Sequence, residues 1–267
     1  MSLSKRLEEA RAAFSRRDHG AAAAAHDPTR IARASEEHGG AGSQYLGEMV
    51  YGGLDGIITT FAVVSGVAGA DLGSGIVLIM GLANLFADGF SMATGAYLST
   101  RSEQEYYDKE REREEWEIEH FPDGERAELV ELYRRQGYEG EEVARMVEIK
   151  TRERRRWLDA MMLEELGLLR DDRNPLLNGL ATLIAFLLAG SVPLLAYLAS
   201  LVVPIPPSTS FTVSLLLSGL ALFGLGAAKV LVTRQNPLRS GLEMFLVGGL
   251  AAGVAYIVGA LLKGLVG

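Results

Sequence analysis

Apolar and charged positions are segregated along this chain into long blocks. Residues 45–70 and 73–100 are apolar and rich in glycine, 101–173 are densely charged, and 175–203, 210–232 and 241–262 are apolar again. Each apolar block is long enough for a helix, rising about 1.5 Å per residue, to cross about 30 Å of hydrocarbon. The pattern predicts five transmembrane helices. Pro204-Ile205-Pro206-Pro207 makes a tight turn after the third, and residues 233–240 a short polar one after the fourth. No Pro or Gly cluster separates Tyr97 from the charged run 102–120, so the second helix is expected to continue out of the membrane. It should stop near Phe121-Pro122-Asp123-Gly124, where Pro removes an amide and Gly tolerates positive φ. A second amphipathic helix is expected over 124–136, ending at Gly137. A third is expected over 139–169, with Val143, Met146, Val147 and Ile149 on its apolar side.

The fold class that follows is an all-α membrane protein, five transmembrane helices with a three-helix insert between spans 2 and 3. Residues 1–44 form an N-terminal tail with one short helix, about 4–17, and a flexible linker; 45–100 hold spans 1 and 2; 101–173 form the insert; 174–267 hold spans 3 to 5. The scattered His19, His26 and His38 of the tail read as solvated side chains.

Charge sharpens the picture. The insert carries 23 Asp and Glu against 15 Lys and Arg, whereas the rest of the chain carries 11 of each, so the net charge of −8 resides in the insert. Cysteine is absent, which excludes disulfides, iron–sulfur clusters and thiolate zinc sites. The acidic balance argues against nucleic acid as a partner and for cations. The first twenty residues lack the apolar core of a secretory signal. Lys5, Arg6, Arg11, Arg16, Arg17, Arg30 and Arg33 precede the first span, and Arg234 and Arg239 follow the fourth; the loops after spans 1 and 3 carry no Lys or Arg. By the positive-inside rule the N-terminus and insert are cytoplasmic and the C-terminus, with Lys263, lies outside. The expected setting is the cell inner membrane.

Candidate chemistry falls in two places. Within the insert Glu114 and Glu117, Glu125 and Glu128, and Met161 and Met162 with Glu165 lie three or four residues apart, and so share helix faces. The bland alternative for any one of these acids is a solvated helix face. Arg111, Arg113 and Arg126 are expected to neutralise some acids through spaced pairs. Mixed thioether and carboxylate ligands suit Fe(II) or Mn(II) better than Ca(II) or Mg(II). Within the spans, a charge at mid-bilayer costs at least a few kcal/mol and marks function by default. Asp55, in Gly52-Gly53-Leu54-Asp55-Gly56, is the foremost case, its glycines allowing backbone approach and leaving room for water or a hydrated ion; the alternative is an interfacial Asp near the helix end. Asp88 is similar or pairs internally, Met92 offers a soft sulfur or fills core, and Asn84 offers an amide oxygen or bonds across helices. Glu48 and Glu243 read as solvated span ends. Glu117 and His120 have the Glu-x-x-His spacing of di-iron bundles, but such a site needs two of these motifs and further acids. An enzymatic role is therefore not expected.

The segments Tyr51-Gly-Gly-Leu-Asp55-Gly-Ile-Ile-Thr-Thr-Phe61 and Ala83-Asn-Leu-Phe-Ala-Asp88-Gly-Phe-Ser-Met92-Ala-Thr-Gly-Ala-Tyr97, followed by the acidic insert, resemble the vacuolar iron transporter family. The resemblance runs from about residue 45 to 267. It implies a five-span homodimer that moves Fe(II), and often Mn(II), out of the cytoplasm in exchange for protons, with no permanent cofactor. It also implies that Glu114, Glu117, Glu125, Glu128, Met161, Met162 and Glu165 are the insert's ligands, and that Asp55 and Met92 lie on the membrane pathway. Where the family commonly carries Glu, this chain has Asn84 and Ala96, with Asp88 a substitute. The rival reading is a membrane-anchored metal sensor or buffer, which has no need of Asp55.

Overall fold

The computed structural model describes residues 3–32, 43–229 and 236–266. Their secondary structure is helical, and five of the helices are long and apolar enough to cross a membrane, as the hydropathy pattern predicts. The linker at 33–42, with His38, lies outside the described residues, as do Val232 and Arg234.

Three helices precede the first span where the sequence suggests one: α1 (Leu3–Arg16), α2 (His19–Ala25) and α3 (Pro28–Ala32). Two aspartates start the additional pair. Asp18 Oδ1 accepts from the amide of Ala21 at 3.0 Å, and Asp27 Oδ1 accepts from the amides of Thr29 and Arg30 at 2.9 and 3.2 Å. Each satisfies amides that a helix start leaves without partners.

The chain divides into two compact units, residues 1–89 with 181–267, and residues 90–180. In the first, α4 (Leu46–Gly69) is the central helix. The third span is broken rather than continuous: α9 (Pro175–Gly190) gives way to a 3₁₀ turn, Val192–Leu194, before α10 (Leu195–Ala199). Pro193 has no amide to continue the ladder, and its carbonyl instead accepts from Ser214 Oγ at 2.6 Å on α11 (Pro207–Ala228). Ser214 belongs to a row, Ser210, Ser214 and Ser218, repeated every four residues and wholly buried, where small side chains let helices approach closely. The last span is α12 (Pro237–Val266).

Two glycine contacts fix how α4 is held. A Cβ at Gly56 would lie 2.5 Å from the carbonyl oxygen of Phe186 on α9, and one at Gly69 would lie 2.2 Å from the carbonyl oxygen of Tyr256 on α12. Gly56, beside Asp55, thus serves the backbone approach expected of the glycines there. Replacing Gly56 by Val must push α4 off α9. We expect a loss of about 3 kcal/mol of stability, read as a collapse in monodisperse yield and thermal midpoint after detergent extraction; wild-type behaviour would contradict the packing.

The second span belongs to α5 (Ser74–His120), 47 residues without a break and so about 70 Å long. Its charged end opens the insert. The break between the first two insert helices is tighter than expected. Phe121 alone is non-helical, and α6 (Pro122–Arg135) starts on Pro122, whose missing amide costs nothing at a first helical position. Gly124 lies inside α6, and Gly137, at φ 95°, follows its end. The third insert helix, expected to be continuous, is instead α7 (Glu141–Thr151), α8 (Arg154–Ala160) and a π-turn, Met161–Glu165. Glu153 is extended at the first break. One unbroken helix would crowd Arg152, Arg154, Arg155 and Arg156; the break turns Arg154 to Glu119 at 3.1 Å while Arg152 reaches Glu148 at 3.1 Å.

Candidate metal centre

Three elements of the insert contribute acids to one place. The charged end of α5 carries Glu114 and Glu117, the first two turns of α6 carry Glu125 and Glu128, and the π-turn ends on Glu165. Apolar neighbours draw them together. Ile118 and Leu129, next in sequence to Glu117 and Glu128, enter a core shared with Tyr133, Val143, Val147, Trp157 and Leu158. Met161 and Met162 are fully buried in that same core, beside the acids in sequence.

Carboxylate oxygens of Glu114, Glu117 and Glu125 lie within 4.8 Å of one another. An ion held at about 2.1 Å by each oxygen needs opposite oxygens about 4 Å apart, a closure within the reach of side-chain rotation. Glu114 is 2% exposed and Glu125 4% exposed, and apart from a hydrogen bond shared between the two carboxyls Oε2 of each is buried without a partner. A buried carboxylate oxygen left unpaired is costly, and a cation would satisfy both at once. Glu165 hydrogen-bonds Glu128, and both act electrostatically on Glu114 and Glu125.

Proton affinity reflects this crowding. Burial, reinforced by Glu114, Glu128, Glu117 and Glu165, raises the Glu125 carboxyl to about 8. Burial, with Glu128 and Glu114, raises Glu165 to about 7. Glu114 is raised by burial as well, with the neighbouring Arg113 guanidinium pulling in the opposite direction. At neutral pH the cluster therefore holds protons that a metal ion would displace.

The π-turn sets which acids join. The amide of Leu166 donates to the carbonyl of Met161 at 3.0 Å, one residue wider than an α-turn. Glu164 consequently turns away to accept from the Tyr133 hydroxyl at 2.9 Å and to pair with Lys150, while Glu165 joins the cluster. The α-helical spacing assumed for Met161, Met162 and Glu165 is thus replaced by a wider turn held from outside. Of the arginines expected to neutralise acids, Arg111 reaches Asp159 at 3.3 Å and Arg126 reaches Asp123 at 3.3 Å; only Arg113 enters the cluster. The Glu-x-x-His pair makes no ligand set: His120 stacks on Trp116 and its Nδ1 contacts the Trp116 carbonyl oxygen at 2.8 Å.

In the other unit, Asp55 sits on the less buried side of α4. Glu48, Tyr51, Asp55, Thr59 and Ala62 share this half-buried or exposed face, opposite the buried Gly53, Ile57 and Thr60. Asp55 interacts electrostatically with Asp88 of α5. Asn84, Asp88 and Met92 follow one another at four-residue intervals along α5, and the Asn84 amide nitrogen is buried without an acceptor. Sequence reading treated Glu48 as a span end; its spacing of seven from Asp55, two helical turns, was the available signal that they share a face.

The model of the VIT family matches residues 46–260. The chain belongs to the VIT family. Curated VIT relatives named vacuolar iron transporter include one from Toxoplasma gondii, 38% identical over 98% of this chain and 90% of its own length. Another, from Plasmodium falciparum, is 36% identical over 98% of each chain. The vacuolar iron transporter 1 of Arabidopsis thaliana is 36% identical over 83% of this chain and 87% of its own. Membership in the VIT family makes this an integral membrane protein of a transporter family, not an enzyme.

Proposed function

We propose that this protein moves Fe(II), and also Mn(II), out of the cytoplasm across the cell inner membrane in exchange for protons, acting as a homodimer. Transport of metal ions follows from the family and from relatives named for iron transport. The choice of ion, the direction and the proton coupling are our reading, and the observation that carries it is the buried acid cluster of the insert with its unpaired oxygens. Glu114, Glu117, Glu125, Glu128 and Glu165 collect the ion, and Met161 and Met162 supply soft donors that favour transition metals over Mg(II) and Ca(II). The ion then passes to Asp55, with Asp88, Met92 and Asn84 lining its way. Basic residues before the first span and within the insert support a cytoplasmic position for both and an outer one for the C-terminus.

The homodimer is supported by the exposed side of α4 that carries Asp55, which a second copy would enclose. Metal entry expels protons from carboxyls, and this supplies the physical basis of antiport. The test is metal entry into proteoliposomes holding the full chain, with the insert facing outward and the lumen acidic. Fe(II) flux is expected well above that of empty vesicles and should collapse when the pH gradient is dissipated. Flux equal to empty vesicles would end the transport reading, and flux indifferent to the gradient would end the antiport reading.

A further inference from the structure

The acid cluster contains a cation of its own. Arg113 Nη2 lies 2.6 Å from Glu114 Oε1 and 2.9 Å from Glu110 Oε2, and Nη1 lies 2.5 Å from Glu117 Oε2. The contacts with Glu110 and Glu117 follow from helical spacing, three residues back and four ahead. The contact with Glu114 does not, because adjacent helix residues point apart. The guanidinium fork is thus drawn over the cluster, bridging two of the three carboxylates whose oxygens converge. Among the described residues, Arg113 is the basic side chain that reaches any of Glu114, Glu117, Glu125, Glu128 and Glu165. Its own side chain is 44% exposed against 2% for Glu114, so it reaches in from solvent and can swing back out.

We propose that Arg113 is a tethered counter-ion that holds the cluster together without metal and competes with the incoming divalent ion for Glu114 and Glu117. This inference rests on the cluster being the metal-collecting site. An ion that engages both carboxylates takes the oxygens the guanidinium now holds, so loading requires the side chain to withdraw. The competition sets a threshold: weakly held ions fail to displace the fork, whereas ions that bind carboxylate strongly succeed. Arg113 is therefore a specificity-determining residue rather than a ligand.

The test is calorimetric titration of the detergent-solubilised full chain with Mn(II), alongside the metal-free thermal midpoint. R113Q is expected to bind Mn(II) about tenfold more tightly while its metal-free midpoint falls. A residue with only a structural role would lower both. R113K keeps the charge without the fork and should fall between. R111Q makes the same change in net charge but removes a partner of Asp159 outside the cluster, and should leave affinity within about twofold of wild type. If R113Q binds no more tightly than R111Q, the competition is disproved while the collecting site stands. If the wild type itself binds no Mn(II), both readings fail together.

Discussion

Replacing Asp55 by Asn should cut metal flux through reconstituted protein by about two orders of magnitude while leaving Mn(II) binding by the insert unchanged. The two shapes are nearly the same, so the difference is one negative charge. A divalent ion crossing hydrocarbon needs a charge partner, and removing one member of a desolvated ion pair costs about 3 kcal/mol. Placed on the rate-limiting barrier, that cost is about a hundredfold in rate. Asp88 interacts electrostatically with Asp55, so Asp88→Asn should lower flux less, with the remaining carboxylate still able to pair the ion. The experiment needs two readings on one preparation: initial flux into vesicles and equilibrium binding in detergent. Asp55→Asn transporting at the wild-type rate would remove Asp55 from the pathway. Loss of binding along with flux would show that the substitution damages the fold instead.

The five spans were legible because hydropathy sums over twenty residues and tolerates local error. What the window cannot see is a single residue that breaks a helix without changing its apolarity. Pro193 lies within an apolar run, so the third span read as continuous although it turns through a 3₁₀ segment there. Capping by Asp18 and Asp27 was present in the sequence, but the alanine-rich stretch between them carries no apolar periodicity to mark α2.

The insert shows the complementary limit. Its carboxylate pairs stand out by spacing on α5 and α6, since both ends of each pair ride on one helix. The π-turn was invisible because its cause is remote: Tyr133 and Lys150, 31 and 14 residues from Glu164, decide which way that acid points. Arg113 was expected to neutralise acids through helical spacing. Its bond to the adjacent Glu114 lies outside that spacing, since neighbouring residues on a helix point apart. The glycines around Asp55 announced a close approach of backbone in the sequence without naming what approaches.

Metal affinity of the full chain should climb steeply with pH and then level off, and the direction follows from the raised carboxyls. Glu125 titrates at about 8 and Glu165 at about 7 in the folded insert, against 4.5 for an ordinary glutamate. Between about pH 4.5 and 8 the folded state thus holds more protons than the unfolded chain. The metal-free insert should lose stability as pH rises through that window. Metal binding runs the other way, because ligands must be deprotonated before they coordinate. Below about pH 7 two protons must leave, and affinity should rise about a hundredfold per pH unit; between about 7 and 8 one must leave, and the slope falls to about tenfold. Titrations with Mn(II) in buffers of different ionisation enthalpy count those protons directly, and between one and two per ion are expected near neutrality. Affinity that is flat from about pH 6 to 8, with no protons released, would mean that the acids are already ionised and that the cluster has nothing to exchange. With release confirmed, the cluster gives up its protons on the side from which the ion arrives, which is the side to which the proposed exchange delivers protons.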